Sequence, residues 1–428
     1  MVLRGAKYQK FGTKDQAGLS DRRNAPCTSF DRMQRAAAVD FSIPESFRSL
    51  RANLRHLVDA ELRPHDAAIE ERGEIPPRAL DAIRAFGLFG SNTPQRYGGL
   101  GLDMLGNCLA IEEMARAHIA YFYTYSMNVH IASKGIELHG SEEQRQRWLP
   151  ALASGRMIGC YALTEEGAGS DAGALQTTVV RHGDLYVLNG AKRYITNAPV
   201  ADLFTVFAAH PDGSAKPKIS AFVVEKGTPG LRIGNIIPMA GGRGAFHSEV
   251  FFEDLAISQE NRLGKEGDGF AIAMQCLDAG RINWAAYCVG AAQHLLDLAT
   301  AHVLSRRQFG RPLAKNQGIQ WMLADMAAEL HAARLASYEA AWRYDREPQE
   351  RASAAAMAKL IASEMVSRVA DNTLQLFGGA GYRKDEPIER IWREVRVIRI
   401  LEGTSEIMRH IVARDMLRDA TPVPSSTR

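Results

Sequence analysis

The sequence predicts an α+β protein in which an N-terminal helical domain, a middle antiparallel β-barrel domain and a C-terminal four-helix bundle follow one another. Three successive patterns along the 428 residues carry that expectation: helical periodicity over 41–157, short β-branched and aromatic runs over 158–267, and long Ala-rich helical segments over 268–420. Residues 1–40 place Arg4, Lys7, Lys10, Lys14, Arg22 and Arg23 among Gly, Ser and Pro without apolar periodicity, and are expected to be a disordered extension. They hold no apolar stretch for a secretory signal, and Asp15, Asp21, Asp31 and Asp40 argue against a transit peptide; Met33 is an alternative native start. Residues 421–428 are expected to form a tail.

The first helical block contains runs such as Ala79–Phe86 and Asn107–Ala115, separated by Pro, Gly and charged clusters. In the middle block, Leu185–Leu188 and Ala191–Thr196 flank Asn189-Gly190, the strongest short-range hairpin dipeptide, and are predicted to be the two arms of a hairpin. Further strands are predicted over 203–209, 219–224 and 249–257. In the last block Ile319, Met322, Met326, Leu330 and Ala333 recur at helical spacing on one face. Full helices are predicted over 282–304, 319–345 and 352–376, with breaks at Pro348 and Gly378.

Composition narrows the function classes. With 24% charged residues, 46% hydrophobic residues and a net charge of +3, the chain has no block of like charges and no footprint of a nucleic-acid binder. Cys27, Cys108, Cys160, Cys276 and Cys288 are odd in number and never form CxxC, which points away from a disulfide framework and toward a reducing compartment. The histidines show no HExxH-like spacing, so no metal site is expected, and no apolar run is long enough to span a bilayer.

Five strings carry candidate chemistry. Residues 160–171 read CYALTEEGAGSD, a β-rich stretch entering a turn that offers hydroxyls and backbone N–H groups to a phosphate or a polar ring edge. Residues 189–197 read NGAKRYITN and 306–317 read RRQFGRPLAKNQ. Residues 375–382 read QLFGGAGY, which follows a helix and lacks the spacing of a dinucleotide fingerprint. Residues 399–409 read RILEGTSEIMR. Singly, each has an ordinary explanation: an exposed loop, a core aromatic, a solvated arginine, a glycine C-cap, a helix-start glutamate.

Together and in this order they resemble the acyl-CoA dehydrogenase family, with its TEPGAGSD, NGxKxWITN, RxxFGxxxxxxQ, QxFGGxGY and IYEGTSxIQR signatures, over about residues 45–418. The resemblance implies FAD as cofactor, an acyl-CoA thioester as substrate, and Glu402 as the base that removes the proton next to the thioester carbonyl. It implies flavin contacts from Tyr161, Leu163, Thr164, Gly169, Ser170, Tyr194, Thr196, Thr404 and Glu406. Arg306, whose planar fork suits a pyrophosphate, with Gln308, Phe309 and Gln317 would address the remainder of the cofactor across a subunit boundary. Gln375, Leu376, Phe377, Gly378 and Gly379 would supply contacts to the cofactor of a neighbouring subunit. Substrate contacts fall to Ser170, Asp278, Arg281, Leu401 and Gly403. Electron transfer flavoprotein as acceptor, a homotetramer, a cytoplasmic setting and a place in fatty acid β-oxidation are further implications.

The chemistry suits these parts. A carbanion next to a thioester is too unstable to form freely, so a base must be held close, and burial should raise the Glu402 pKa toward the working range. Departures from the family pattern lie at Glu166 for proline, Tyr194 for tryptophan, Leu401 for an aromatic, and Ala245 and His247 where hydroxyl residues are frequent. Some subfamilies carry the glutamate on the helix before Arg281; here that position is Gly280, expected to leave room in the acyl pocket. Same-fold alternatives are a nitroalkane oxidase, which carries Asp at the base position, a flavin monooxygenase, which usually lacks the acid, and a non-catalytic or nucleic-acid-associated flavoprotein.

Overall fold

The computed structural model describes residues 43–419, apart from 212 and 214–216. The expected disordered extension over 1–40, the tail over 421–428 and Cys27 lie outside the described residues. The described residues from Glu45 on pack as one compact unit.

The first helical block runs through α1 (Glu45–Leu57), α2 (Asp66–Arg72), α3 (Pro77–Phe86), α4 (Met104–Met114), α5 (Ile119–Ser126), α6 (Ser133–His139) and α7 (Glu142–Ala153). Local chemistry sets several boundaries. Pro77 opens α3, where its missing N–H is no loss, and Gly87 ends it in a left-handed conformation. The Asp103 side chain accepts from the Gly106 N–H at 2.7 Å to start α4, and Ser141 with Gln144 forms a reciprocal capping box on α7. Every residue of α5 is buried, and a π-helical turn (Met127–Ala132) joins it to α6.

The middle block is a mixed, open sheet, which corrects the expected antiparallel barrel. Strands β1 (Gly159–Ala162), β2 (Thr178–His182), β3 (Leu185–Thr196), β4 (Leu203–Ala209), β5 (Ile219–Glu225), β6 (Leu231–Ile236), β7 (His247–Ser258) and β8 (Arg262–Leu263) pair in the order β6-β7-β3-β2-β4-β5-β8. β1 lies parallel to β4, and the end strands β6 and β8 do not meet to close the sheet. Short strands at regular spacing are compatible with either arrangement; the chain enters the sheet at β1 beside a strand running the same way, and spacing does not show that. β4 and β5 are buried on both faces. Leu203, Phe207 and Ala209 join the core shared with the helices, whereas Phe204, Val206 and Ala208 fill a second core inside the sheet, the alternation a strand imposes.

A second correction concerns Asn189-Gly190. β3 runs unbroken through this dipeptide, and the two-residue turn lies earlier, at Gly183–Asp184 between β2 and β3. Asn189 and Gly190 form a bulge instead. The Asn189 side chain exchanges bonds of 2.8 and 3.0 Å with Asp254 on β7, and a Cβ at Gly190 would sit 2.6 Å from Thr177 Cα.

The last block contains α8 (Gly269–Ser305), a small hairpin of β9 (Arg307–Gln308) and β10 (Arg311–Pro312), α9 (Gln317–Arg346), α10 (Arg351–Phe377), α11 (Pro387–Arg396) and α12 (Ser405–Asp419). Helices α8, α9 and α10 pack on one another and α12 packs on α10. α8 begins well before the predicted start at 282, because from Cys276 to Ala292 it is buried on all sides and carries no amphipathic stripe to read. Among the described residues, no helix is long and apolar enough to cross a membrane.

Candidate active site

The loop between α11 and α12 carries Glu402. Glu402 has φ +52° and Gly403 φ +100°, so two consecutive residues occupy the left-handed region and turn the chain sharply. Buried cations hold that turn. Lys359 Nζ on α10 donates to the carbonyls of Leu401 (2.8 Å) and Gly403, and Arg281 Nε on α8 donates to the carbonyl of Glu402 at 3.1 Å. Arg281 Nη1 also donates to Asp278 Oδ1 at 3.0 Å. Thr404 Oγ1 accepts from the Ile407 N–H at 3.3 Å and starts α12.

The Glu402 carboxylate points inward. Trp284 Nε1 donates to Oε1 at 2.8 Å, whereas Oε2 is buried and has no hydrogen-bond partner. Gly280 makes this possible: a Cβ there would lie 2.2 Å from Oε2 and 2.7 Å from Ile131 Cδ1. The room expected at Gly280 for an acyl chain is therefore taken by the carboxylate itself. Burial raises the Glu402 pKa from 4.5 to about 7, against the Trp284 hydrogen bond and the charges of Lys359 and Arg281, which pull it down. Burial also lifts Asp278 to about 6 and lowers Lys359 to about 8.

The candidate cofactor residues of the sheet gather on a neighbouring edge. The Arg193 N–H donates to the Thr164 carbonyl at 2.8 Å, which joins the TEEGAGSD turn to the KRYIT segment. Beneath it, buried Lys192 Nζ donates to Glu165 Oε1 at 2.7 Å and to the Leu163 carbonyl at 3.1 Å. At the second bulge of β3 Tyr194 takes φ +59°, and its side chain stays 49% exposed beside the Arg193 guanidinium. Gly169 and Ser170 are exposed, Thr164 and Thr196 partly so, and Leu163 is buried. Tyr161 donates its phenol hydrogen to the Ala273 carbonyl at 3.1 Å and lies close enough to feel the charges of Glu402, Arg281 and Asp278.

This edge and the surroundings of Glu402 are connected by contact. Thr196 Oγ1 lies 3.0 Å from His247 Nδ1; His247 meets Tyr123 edge-on at 5.2 Å, and Tyr123 meets Trp284 at 5.3 Å. Thus Thr196, Tyr161, Asp278, Arg281, Leu401, Glu402 and Gly403 share one region.

The remaining candidates lie elsewhere. Arg306, Gln308 and Gln317 are exposed, and Phe309, at φ +49°, projects fully into solvent. Counted along α8, Arg306 is roughly 37 Å from Arg281 at a rise of about 1.5 Å per residue. Phe377 stacks on His302 with centroids 4.0 Å apart, which brings the 375–379 turn beside this second group. Gln375, Gly378 and Gly379 are exposed there, while the Leu376 side chain is buried in the core, so that residue has only its backbone to offer a ligand. Glu406 is exposed in the first turn of α12, where its own backbone N–H and the Thr404 hydroxyl hold its carboxyl below the usual range.

Two residues of the site escaped the sequence reading, Trp284 and Lys359. Trp284 stands at i+3 from Arg281 on α8, a spacing that puts both on one face, and Lys359 is a lone cation in an Ala-rich stretch. A buried carboxyl titrating near neutrality, with one oxygen free in apolar surroundings, is equipped to accept a proton from carbon.

Comparisons with known proteins identify the family. Three family models match in succession: "Acyl-CoA dehydrogenase, N-terminal domain" over 44–156, "middle domain" over 160–255 and "C-terminal domain" over 267–417. The short-chain specific acyl-CoA dehydrogenase of Clostridium acetobutylicum is 39% identical over 380 residues, covering 89% of this chain and 100% of the relative. Among solved structures, butyryl-CoA dehydrogenase from Megasphaera elsdenii superposes with a TM-score of 0.85 at 34% identity, covering 89% of this chain and 100% of that one. A chain from a study of the electron transferring flavoprotein of Acidaminococcus fermentans gives a TM-score of 0.85 at 40% identity, with the same 89% and 100% coverage.

Proposed function

The chain belongs to the acyl-CoA dehydrogenase family and is an oxidoreductase acting on CH–CH groups, and from that premise we propose that Glu402 is its catalytic base and FAD its cofactor. The observation that carries the first half is the unpartnered, buried Oε2 of a carboxyl whose pKa lies at about 7. Glu402 takes the proton from the carbon next to the thioester carbonyl, the hydrogen of the neighbouring carbon leaves with its electron pair, and trans-2-enoyl-CoA results. Lys359 and Arg281 fix the turn that presents the base, and Trp284, Ile131 and Gly280 shape its water-poor surroundings.

The residues of the sheet edge fit a flat ring with a polar rim: Tyr194 offers an exposed aromatic face, and Thr164, Ser170 and Thr196 offer hydroxyls beside it. When bound there, FAD supplies the hydride acceptor. Arg306 lies at the far end of α8 from Arg281, with Gln308 and Phe309 just beyond it, Gln317 opening α9 and the 375–379 turn beside His302, too far away to serve the same site within one chain. They support a homotetramer in which a neighbouring copy completes the cofactor site. We assign electron transfer flavoprotein as the acceptor from the reduced cofactor, and a cytoplasmic setting to which the four buried, unpaired thiols among the described residues are suited.

The test is anaerobic reduction of the purified flavoprotein by a panel of acyl-CoAs, followed at the flavin absorption band. At least one acyl-CoA should bleach it, and Glu402→Gln should bind FAD and acyl-CoA yet bleach about 10³-fold more slowly. A variant as fast as wild type would move the base elsewhere, and failure with every acyl-CoA would favour another substrate class on this fold.

A further inference from the structure

A carboxylate has two equivalent oxygens until one is bonded, and in this protein the bond comes from an indole. The Trp284 ring is 1% exposed and is wedged between Phe122 (centroids 4.8 Å apart), Tyr123 (5.3 Å) and Tyr287 (5.6 Å), so it has no free rotamer to move into. Its Nε1–H reaches Glu402 Oε1 at 2.8 Å, and an indole is a donor only and does not titrate. The charged and titratable groups that face Glu402 are engaged otherwise. Lys359 on α10 and Arg281 on α8 donate to backbone carbonyls of the turn, Asp278 accepts from Arg281, Tyr161 on β1 donates to Ala273, and Tyr123 on α5 packs against the indole. The indole N–H is thus the donor that distinguishes the two oxygens.

We propose that Trp284 is a positioning residue for the base: it pins Oε1 and leaves Oε2, the oxygen without a partner, to take the proton from substrate. The proposal rests on Glu402 being that base. A donor to the ionised carboxyl also favours ionisation, so removing it moves the acid limb of the rate profile upward.

Two variants test this with FAD-loaded enzyme and an acyl-CoA that reduces it. Trp284→Phe removes the N–H and part of the ring. Site-specific replacement of Trp284 by benzothienylalanine keeps the ring outline, so loss of packing is separated from loss of the donor. Both should lower kcat about ten-fold and shift its acid limb up by about one pH unit, with KM for acyl-CoA, FAD content and thermal midpoint near wild type for the isosteric variant. An unshifted pH profile in the isosteric variant, or equal losses in kcat and flavin content, would overturn the role of Trp284 while leaving Glu402 in place. Wild-type activity in Glu402→Gln would instead remove the premise.

Discussion

Near the end of the chain Glu394 is buried and Glu402 is half-buried with its carboxylate turned inward, and the surroundings of these two acids differ in kind. Glu394 at the end of α11 lies 3.4 Å from Arg390 Nη1 and 3.5 Å from His118 Nε2. The network continues from Arg390 to Asp66 at 3.0 Å, from His118 to Glu70 at 3.1 Å, and from Arg393 to Glu70 at 3.0 Å and Glu389 at 2.7 Å. Glu70, His118 and Glu394 have a metal-like spacing, but their donors and acceptors are already matched. His118 Nδ1 accepts from the Ala120 N–H, which leaves Nε2 as donor to the acids, and two arginines supply the positive charge. Glu402 has a single direct donor and a bare oxygen. Burial pushes both carboxyls up, but paired charge in the first region ties α2, α5 and α11 together, whereas the second leaves an oxygen with no partner.

The two regions should therefore fail differently. Arg390→Met strands Glu394 and Asp66, and unfolding by denaturant should show a loss of about 3–5 kcal/mol with little change in kcat per folded molecule. A small loss of stability would mean that the network is not closed as described. At Glu402 the sign is opposite. Its folded pKa lies above the ordinary 4.5, so its contribution to stability is full below about pH 4.5 and is lost as pH rises through about 7. Glu402→Gln should therefore match wild type at low pH and exceed it above pH 7 by on the order of 3 kcal/mol, read from denaturation at several pH values. Parallel stability curves would put the carboxyl in a wetter place than its geometry shows. Lys359→Met is the mildest of these changes. It frees the carbonyls of Leu401 and Gly403 and removes a positive charge beside Glu402, so kcat should fall about ten-fold and its acid limb rise. An unchanged limb would leave Lys359 a purely structural role.

Much of this was legible in the sequence because local chemistry agrees with the fold. The period of α9 appears in Ile319, Met322, Met326, Leu330 and Ala333, and the runs at 203–209 and 219–224 coincide with β4 and β5. The string around Glu402 singled that residue out as the candidate base. Partner-dependent features were hidden. Asn189-Gly190 carries a turn signal, yet Asp254 and Thr177, distant in sequence, make it a bulge inside a strand. The parallel placement of β1 beside β4 depends on a chain path that no short window reports. Trp284 was not singled out in α8, because its polar edge matters only once Glu402 folds back onto it.

The 2.2 Å separation between a would-be Cβ at Gly280 and the Glu402 oxygen has one more consequence. Helix position 280 and loop position 402 are rival tenants of a single volume, so an acid can be lodged from either side but not from both. A chain that moved its glutamate to position 280 would have to vacate position 402, and φ +52° at that position is a conformation in which glycine rests without strain. The backbone on each side is thus already shaped for the exchange, and migration of the acid between the two segments requires coordinated replacement of two residues while the scaffold stays as it is.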